Sequence, residues 1–183
     1  AGGAGTVSGV QLINISSSQW GAGRFIPGML SNVINDAVVH NLRTWFATPS
    51  GVAVWNNSIG FWEESLTVAN GLPTPIVDQL YVHPSGELWM ATPVGLVRYD
   101  PITESFDSTI DLLSGLIGNR VSAIAEDNGR LFLSHNGAGA TTPGASVLDS
   151  TNITVDYTIR VDQLPSTNIL AISADSWGVH IAT

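Results

Sequence analysis

Lysine is missing from this chain and so is cysteine; apart from four histidines, six arginines carry all of its positive charge. Without thiols there can be no disulfide, no thiolate metal site and no cysteine nucleophile. Charge of either sign is scarce, at 11% of residues, where an ordinary soluble domain has about 25%. The balance is acidic, with a formal net charge of −9 at pH 7. That argues against a nucleic-acid partner, whose phosphates need a basic patch, and equally against adhesion to an anionic membrane surface. No apolar run approaches the roughly 20 residues of a membrane-spanning helix, and no membrane insertion is expected. No signal peptide is visible, and Ala1-Gly2-Gly3-Ala4-Gly5 lacks an initiator Met, which reads as a processed or trimmed chain. No stretch carries an amphipathic helical pattern over three turns.

What the chain has is a repeat. Thr44-Trp45-Phe46-Ala47-Thr48 leads into Gly51-Val52-Ala53-Val54-Trp55-Asn56, and Leu88-Trp89-Met90-Ala91-Thr92 into Gly95-Leu96-Val97-Arg98-Tyr99-Asp100. Leu131-Phe132-Leu133-Ser134 leads, after a longer loop, into Gly144-Ala145-Ser146-Val147-Leu148-Asp149. Val179-His180-Ile181-Ala182-Thr183 opens a fourth copy, and its missing second half stands at the start as Gly9-Val10-Gln11-Leu12-Ile13-Asn14. The aromatic position (Trp45, Trp89, Phe132, then His180) recurs at intervals of 44, 43 and 48. Met29, Leu72, Leu116 and Leu164, each five residues before Ile34, Val77, Val121 and Ile169, recur at 43, 44 and 48. Within a unit, short β-branched and aromatic runs alternate with Gly, Pro, Asn and Asp turns, the pattern of a four-stranded antiparallel meander. One such unit per 40–45 residues or so is a propeller blade, whereas horseshoe repeats are shorter and helical arrays need periodic helices.

The run Asn119-Arg120-Val121-Ser122-Ala123-Ile124-Ala125-Glu126-Asp127-Asn128-Gly129-Arg130-Leu131-Phe132 resembles the two-component-regulator propeller repeat. So does Gly86-Glu87-Leu88-Trp89-Met90-Ala91-Thr92 followed by Gly95-Leu96-Val97-Arg98-Tyr99-Asp100. The resemblance covers nearly all of the chain after Gly9, most fully in the second unit. It implies an all-β propeller, and a role as a sensor ectodomain or secreted module. Two departures stand out: His40-Asn41-Leu42 lacks the Asp and Gly turn, and the third unit carries the insertion Asn136 to Pro143.

The expected fold is a single β-propeller domain of four blade-equivalents. Residues 32–75, 76–118 and 119–167 are whole blades; 9–31 supply a third and fourth strand, and 168–183 a first and second, of one split blade. Val10, Gln11, Leu12 and Ile13 are expected to pair with Val179, His180 and Ile181. The partner is either the same chain, which tethering favours, or the next copy, which would give rings or filaments.

Few residues suggest chemistry. His40, His83 and His135 lie at or beside turns of successive blades and read as solvent-facing; His180 stands at a Trp position and reads as a packed ring. Asp36 and Asp78 fall in equivalent first-strand regions, shifted by two, near a central channel. A carboxylate cluster there would suit Ca²⁺, but solvated channel residues are the plainer reading, and no cofactor is expected. Glu63, Glu64 and Glu104 read as outer surface. There is no Gly-x-Ser-x-Gly elbow, and Gly137-Ala138-Gly139-Ala140 lacks the setting of a nucleotide cradle. Trp45 and Trp89 read as blade packing; Trp20, Trp55, Trp62 and Trp177 are better interface residues. Asn14, Asn56 and Asn152 head glycosylation sequons, all just after a third strand.

The leading expectation is a non-enzymatic, secreted or cell-surface propeller serving interaction or self-assembly, with an extracellular filament subunit as its sharpest form. The alternative is a ligand-sensing ectodomain, or part of one, with its small-molecule ligand unknown. An enzyme would rest on fold analogy alone.

Overall fold

The computed structural model describes residues 13–14, 19–20, 29–136, 143–160, 163–164, 169, 171–175 and 177–183. Among them the fold is all-β, with three four-stranded and two two-stranded antiparallel sheets. The first whole sheet is β3 (Asp36–His40), β4 (Arg43–Thr48), β5 (Gly51–Asn56) and β6 (Phe61–Trp62). The second is β7 (Gln79–Val82), β8 (Leu88–Thr92), β9 (Gly95–Asp100) and β10 (Ser105–Phe106). The third is β11 (Ala123–Asp127), β12 (Arg130–His135), β13 (Gly144–Asp149) and β14 (Thr154–Arg160). Each is a meander in chain order, as the turn spacing dictates. The two small sheets are the hairpins β1 (Ile13–Asn14) with β2 (Gln19–Trp20), and β15 (Ala171–Asp175) with β16 (Gly178–Ala182).

The first strands stack in succession, β3 against β7, β7 against β11 and β11 against β15. Sheets therefore pack face to face, and the middle one is covered on both sides. That is why β8 is buried along its whole length. Its period of two still sorts the partners: Leu88 and Met90 join Trp45, Val54 and Leu80 in one core, while Trp89 and Ala91 join Ile124, Leu131 and Leu133 in the next. The markers that lead the second and third sheets are buried: Leu72, Val77, Leu116 and Val121 are all at most 3% exposed; Met29 and Leu164 are half-buried. Val77 N donates to Thr48 O and Val121 N to Thr92 O, tying each new sheet to the last.

The glycine that opens the third strand also has a spatial reason. Gly51, Gly95 and Gly144 have φ of +124, +142 and +151, and a Cβ on any of them would lie 2.3–2.4 Å from the carbonyl oxygen of Leu66, Ile110 or Ile159. The chain leaving the fourth strand crosses there, closing the pairs Val52–Leu66 and Leu96–Ile110. At Gly51 and Gly95 the threonine three residues earlier completes the device. Buried Thr48 and Thr92 donate Oγ1–H to Gly51 O and Gly95 O, and accept from Ser50 N and Val94 N.

His40-Asn41-Leu42 still turns tightly, because Asn41 and Leu42 both adopt left-handed backbone, at φ 48 and 61. The equivalent turn uses Asn128-Gly129. Leu42 bears that conformation without glycine's freedom and is 69% exposed. Leu42→Gly is therefore expected to stabilise the fold by about 1 kcal/mol, read as a higher urea midpoint with an unchanged slope.

Ring closure is not among the described pairings. Ile13 pairs with Trp20, while Val179, His180 and Ile181 pair with Ala174, Ser173 and Ile172. Val10, Gln11 and Leu12 lie outside the described residues, as do most of the glycine-rich insertion and the glycines from 1 to 9.

Candidate functional site

A concavity lies between the first two sheets, a cleft of about 340 Å³. Register explains its walls. Arg43 and Trp45 on β4, Val54 on β5 and Glu63 just after β6 face Tyr99 on β9 and Phe106 on β10. Trp45 meets Tyr99 edge-on at 6.1 Å between ring centres, and Tyr99 meets Phe106 at 4.8 Å. Three rings from two blades thus make an aromatic floor. Arg43 Nε donates to Glu63 Oε2 at 2.5 Å, and Asn56 Nδ2 donates to Glu63 Oε1 at 2.5 Å. Burial pushes the Glu63 carboxyl up, but the bonds from Asn56 and Arg43 outweigh it and hold it below its ordinary value. Glu64 and Glu104, both exposed, also line the cleft. The Tyr99 hydroxyl is pushed up by its own burial and then by the nearby Glu104 carboxylate. Glu63, Glu64 and Glu104 are thus cleft residues, not the plain outer surface that their sequence positions suggested. No sequence pattern could have grouped them, since the two sides of the cleft come from different repeats. Trp45 Nε1 is buried without a hydrogen-bond partner, but so are Trp62 Nε1 and Trp89 Nε1, so the feature marks blade packing rather than the cleft.

A second constellation resembles a nucleophile relay. His83 Nε2 lies 3.1 Å from Ser150 Oγ, His83 Nδ1 lies 2.6 Å from Ser85 Oγ, and Ser85 Oγ donates to Glu87 Oε2 at 3.3 Å. Proton accounting decides its role. Ser150 Oγ–H is spent on Gly129 O at 2.8 Å, so His83 Nε2–H must donate to Ser150 rather than accept from it. Ser150 is moreover 5% exposed. The group staples the second sheet to the third.

His135 and His180 reverse the sequence expectation. His135 is fully buried, because it occupies the position of Thr48 and Thr92 at the end of the second strand. Its Nδ1 faces Arg120 O at 2.9 Å and must carry the proton; its Nε2 lies 2.8 Å from Ser146 Oγ and accepts. Ser146 Oγ in turn accepts Ile117 N–H at 3.0 Å. His180, by contrast, is an exposed side chain paired with Asp175 Oδ1 at 3.2 Å. It keeps the register of the Trp position but has a neighbouring strand described on one side alone. His83 is a half-buried staple, not a free turn residue, and His40 Nε2 is buried.

The inner carboxylates serve the joints between sheets. Asp36 Oδ2 accepts Leu80 N–H at 2.9 Å, and at the same register position in the next sheet Gln79 Oε1 accepts Ile124 N–H at 2.6 Å. The partner of Asp36 in the repeat is therefore Gln79; Asp78 is one residue off and pairs with Arg120 at 2.6 Å. Among the described residues no group of three or more His, Asp or Glu side chains could hold a metal ion. Gln79→Ala would leave Ile124 N–H unpaired at this joint and is expected to cost about 1–3 kcal/mol in denaturant unfolding.

Trp55 and Trp62 pack edge-on at 5.2 Å, and Trp62 packs on Phe46; Trp177 is 91% exposed. Asn56 is half-buried, and its Oδ1 accepts from Ser58 N and Ile59 N. Asn152 is exposed in the equivalent turn, with Nδ2 bonded to Asp149 Oδ2; Asn14 begins the same turn of β1–β2.

No protein-family model and no curated protein matches the chain. Solved structures do. The extracellular domain of the candidate hybrid two-component system BT3049 from B. thetaiotaomicron superposes with TM-score 0.79 and 21% identity, over 95% of this chain and 24% of that one. The corresponding domain of BT4673 from the same organism gives TM-score 0.66 and 20% identity, over 81% of this chain and 22% of that one. The WD40 repeats of RRP9 give 0.61 at 14% identity, over 77% of this chain and 42% of that one. The fold is thus the one found in the extracellular domains of BT3049 and BT4673 and in the WD40 repeats of RRP9. The chain spans about a quarter of the length of the sensor domains it matches.

Proposed function

We propose that the chain is an extracellular, non-enzymatic β-propeller module that binds a small ligand in the manner of a sensor ectodomain. The observation that carries this reading is the likeness to the BT3049 extracellular domain over 95% of the chain. The inter-blade cleft, the absence of lysine and the low charge accord with it. Its blade arithmetic is three whole blades plus one assembled from β15–β16 and β1–β2. Support for that comes from register: Asn14 pairs with Gln19 and Ile13 with Trp20, as Asn56 pairs with Phe61 and Trp55 with Trp62, and as Asp100 pairs with Ser105 and Tyr99 with Phe106. The hairpin β1–β2 is a third and fourth strand in search of a first and second. A thermal-shift screen across neutral, cationic and anionic small molecules tests the ligand reading. At least one class should raise Tm saturably; no response from any class would overturn it.

The same register favours a second reading, self-association by strand exchange, in which β1–β2 of one copy completes the blade of another. The comparisons do not bear on it. Size-exclusion chromatography with negative-stain microscopy should then show rings or filaments; a single monodisperse species near 19.2 kDa would contradict it.

A further inference from the structure

The cleft between the first two sheets also has a chemical character of its own. It holds three carboxylates, Glu63, Glu64 and Glu104, and one guanidinium, Arg43. Arg43 is consumed by Glu63 at 2.5 Å, and Asn56 takes the other Glu63 oxygen. That leaves Glu64, contacted by the neutral Asn70 Nδ2 at 3.4 Å, and Glu104 without an ion-pair partner among the described residues, one from each blade, beside the edges of Trp45 and Tyr99, which are 3% and 6% exposed, and Phe106. An anion would meet repulsion from both sides, whereas a neutral ligand would gain nothing from either solvated carboxylate. A positively charged nitrogen satisfies both: the carboxylates supply the charge, and the aromatic rings attract a cation through their quadrupoles. The volume of about 340 Å³ lies in the range of small-molecule sites, roughly 300–1,000 Å³.

We propose that this cleft binds an alkylammonium group, with Glu64 and Glu104 as its counter-ions and Trp45, Tyr99 and Phe106 as its floor. The inference rests on the ligand-binding reading above and names the ligand class. The ammonium could come from a free diamine or from a lysine side chain of a peptide, and the two are separated by titrating each.

The test is isothermal titration calorimetry of the whole chain with 1,4-diaminobutane, with 1,4-butanediol of the same length, and with a short lysine-containing peptide. The diamine or the peptide should bind saturably and the diol should not; the tighter of the two identifies the source. Glu64→Gln with Glu104→Gln should weaken binding at least tenfold, and both sites are exposed, so the fold should survive. Asp127→Asn with Asp175→Asn removes the same net charge far from the cleft and should leave binding unchanged. Equal loss in both double variants, or no saturable binding of either amine, overturns the proposal. Binding of the diol as tightly as the diamine overturns the ammonium assignment while leaving the ligand-binding module intact.

Discussion

Gly95→Ala should be among the most damaging single-methyl changes in this protein, at roughly 3–5 kcal/mol. Two costs add. The backbone at φ +142 is one that L side chains rarely adopt, and the new Cβ would lie 2.3 Å from Ile110 O and 2.8 Å from Thr109 Cγ2. The Ile110 carbonyl cannot simply rotate away. Ile110 O is the acceptor for Leu96 N, and Ile110 N donates back to Leu96 O. Relief must therefore break the reciprocal bridge that turns the chain from the fourth strand toward the next blade. Gly129→Ala is the matched control: φ is +79, and nothing lies within 4 Å of the added Cβ. It should show the conformational cost alone, about 1 kcal/mol. Against a typical domain stability of about 5–15 kcal/mol, Gly95→Ala should approach loss of folding, measurable as a large fall in the urea midpoint. Equal effects at both glycines would refute the close-approach explanation.

Acid should destabilise the fold through His135. Complete burial holds its imidazole down to about 4 from an ordinary value of 6.5, against the bonds to Arg120 and Gly118 carbonyls that pull the other way. Between pH 6.5 and 4 the unfolded chain therefore binds the proton that the folded chain refuses. Stability falls as pH drops through that window, by about 3 kcal/mol once both limits are passed. The geometry says why protonation is resisted. Nδ1–H already serves Arg120 O, so the added proton must go on Nε2, where it faces Ser146 Oγ–H. Asp78 works in the opposite sense, since burial raises its carboxyl despite Arg120. His135→Gln should cost stability at pH 7 and flatten the dependence between pH 6.5 and 4. Urea denaturation at three pH values in both proteins measures this, and parallel slopes would contradict it.

The all-β class and the blade were legible in the sequence because both rest on local periodicity: the Trp position, the Gly that opens β9 and the buried Leu72/Leu116 marker recur at fixed intervals. The cleft was not legible, because Glu63 and Glu104 meet only once two repeats pack, and pairing across blades leaves no trace in spacing. His135 was misread for a related reason. Its place in the repeat is that of Thr48 and Thr92, but the long insertion after it suggested an exposed turn. Asp36 was grouped with Asp78 because both fall in first-strand regions of the repeat, whereas register matches Asp36 with Gln79. His180 fits the repeat by position, yet it is exposed, and in the proposed divided blade its burial would depend on a strand from elsewhere.

That strand offers the sharpest test. In the three whole sheets Thr44 pairs with Trp55, Leu88 with Tyr99 and Leu131 with Leu148. The equivalent residues of the divided blade are Val179 and Ile13. Because the chain has no cysteine, Ile13→Cys with Val179→Cys gives one possible disulfide, and non-reducing mass analysis shows where it forms. Oxidation should be rapid and near-complete, within one chain if the blade closes on itself and between chains if copies exchange strands. A cross-link no faster than that of the mismatched pair Ile13→Cys with Ala171→Cys would contradict it.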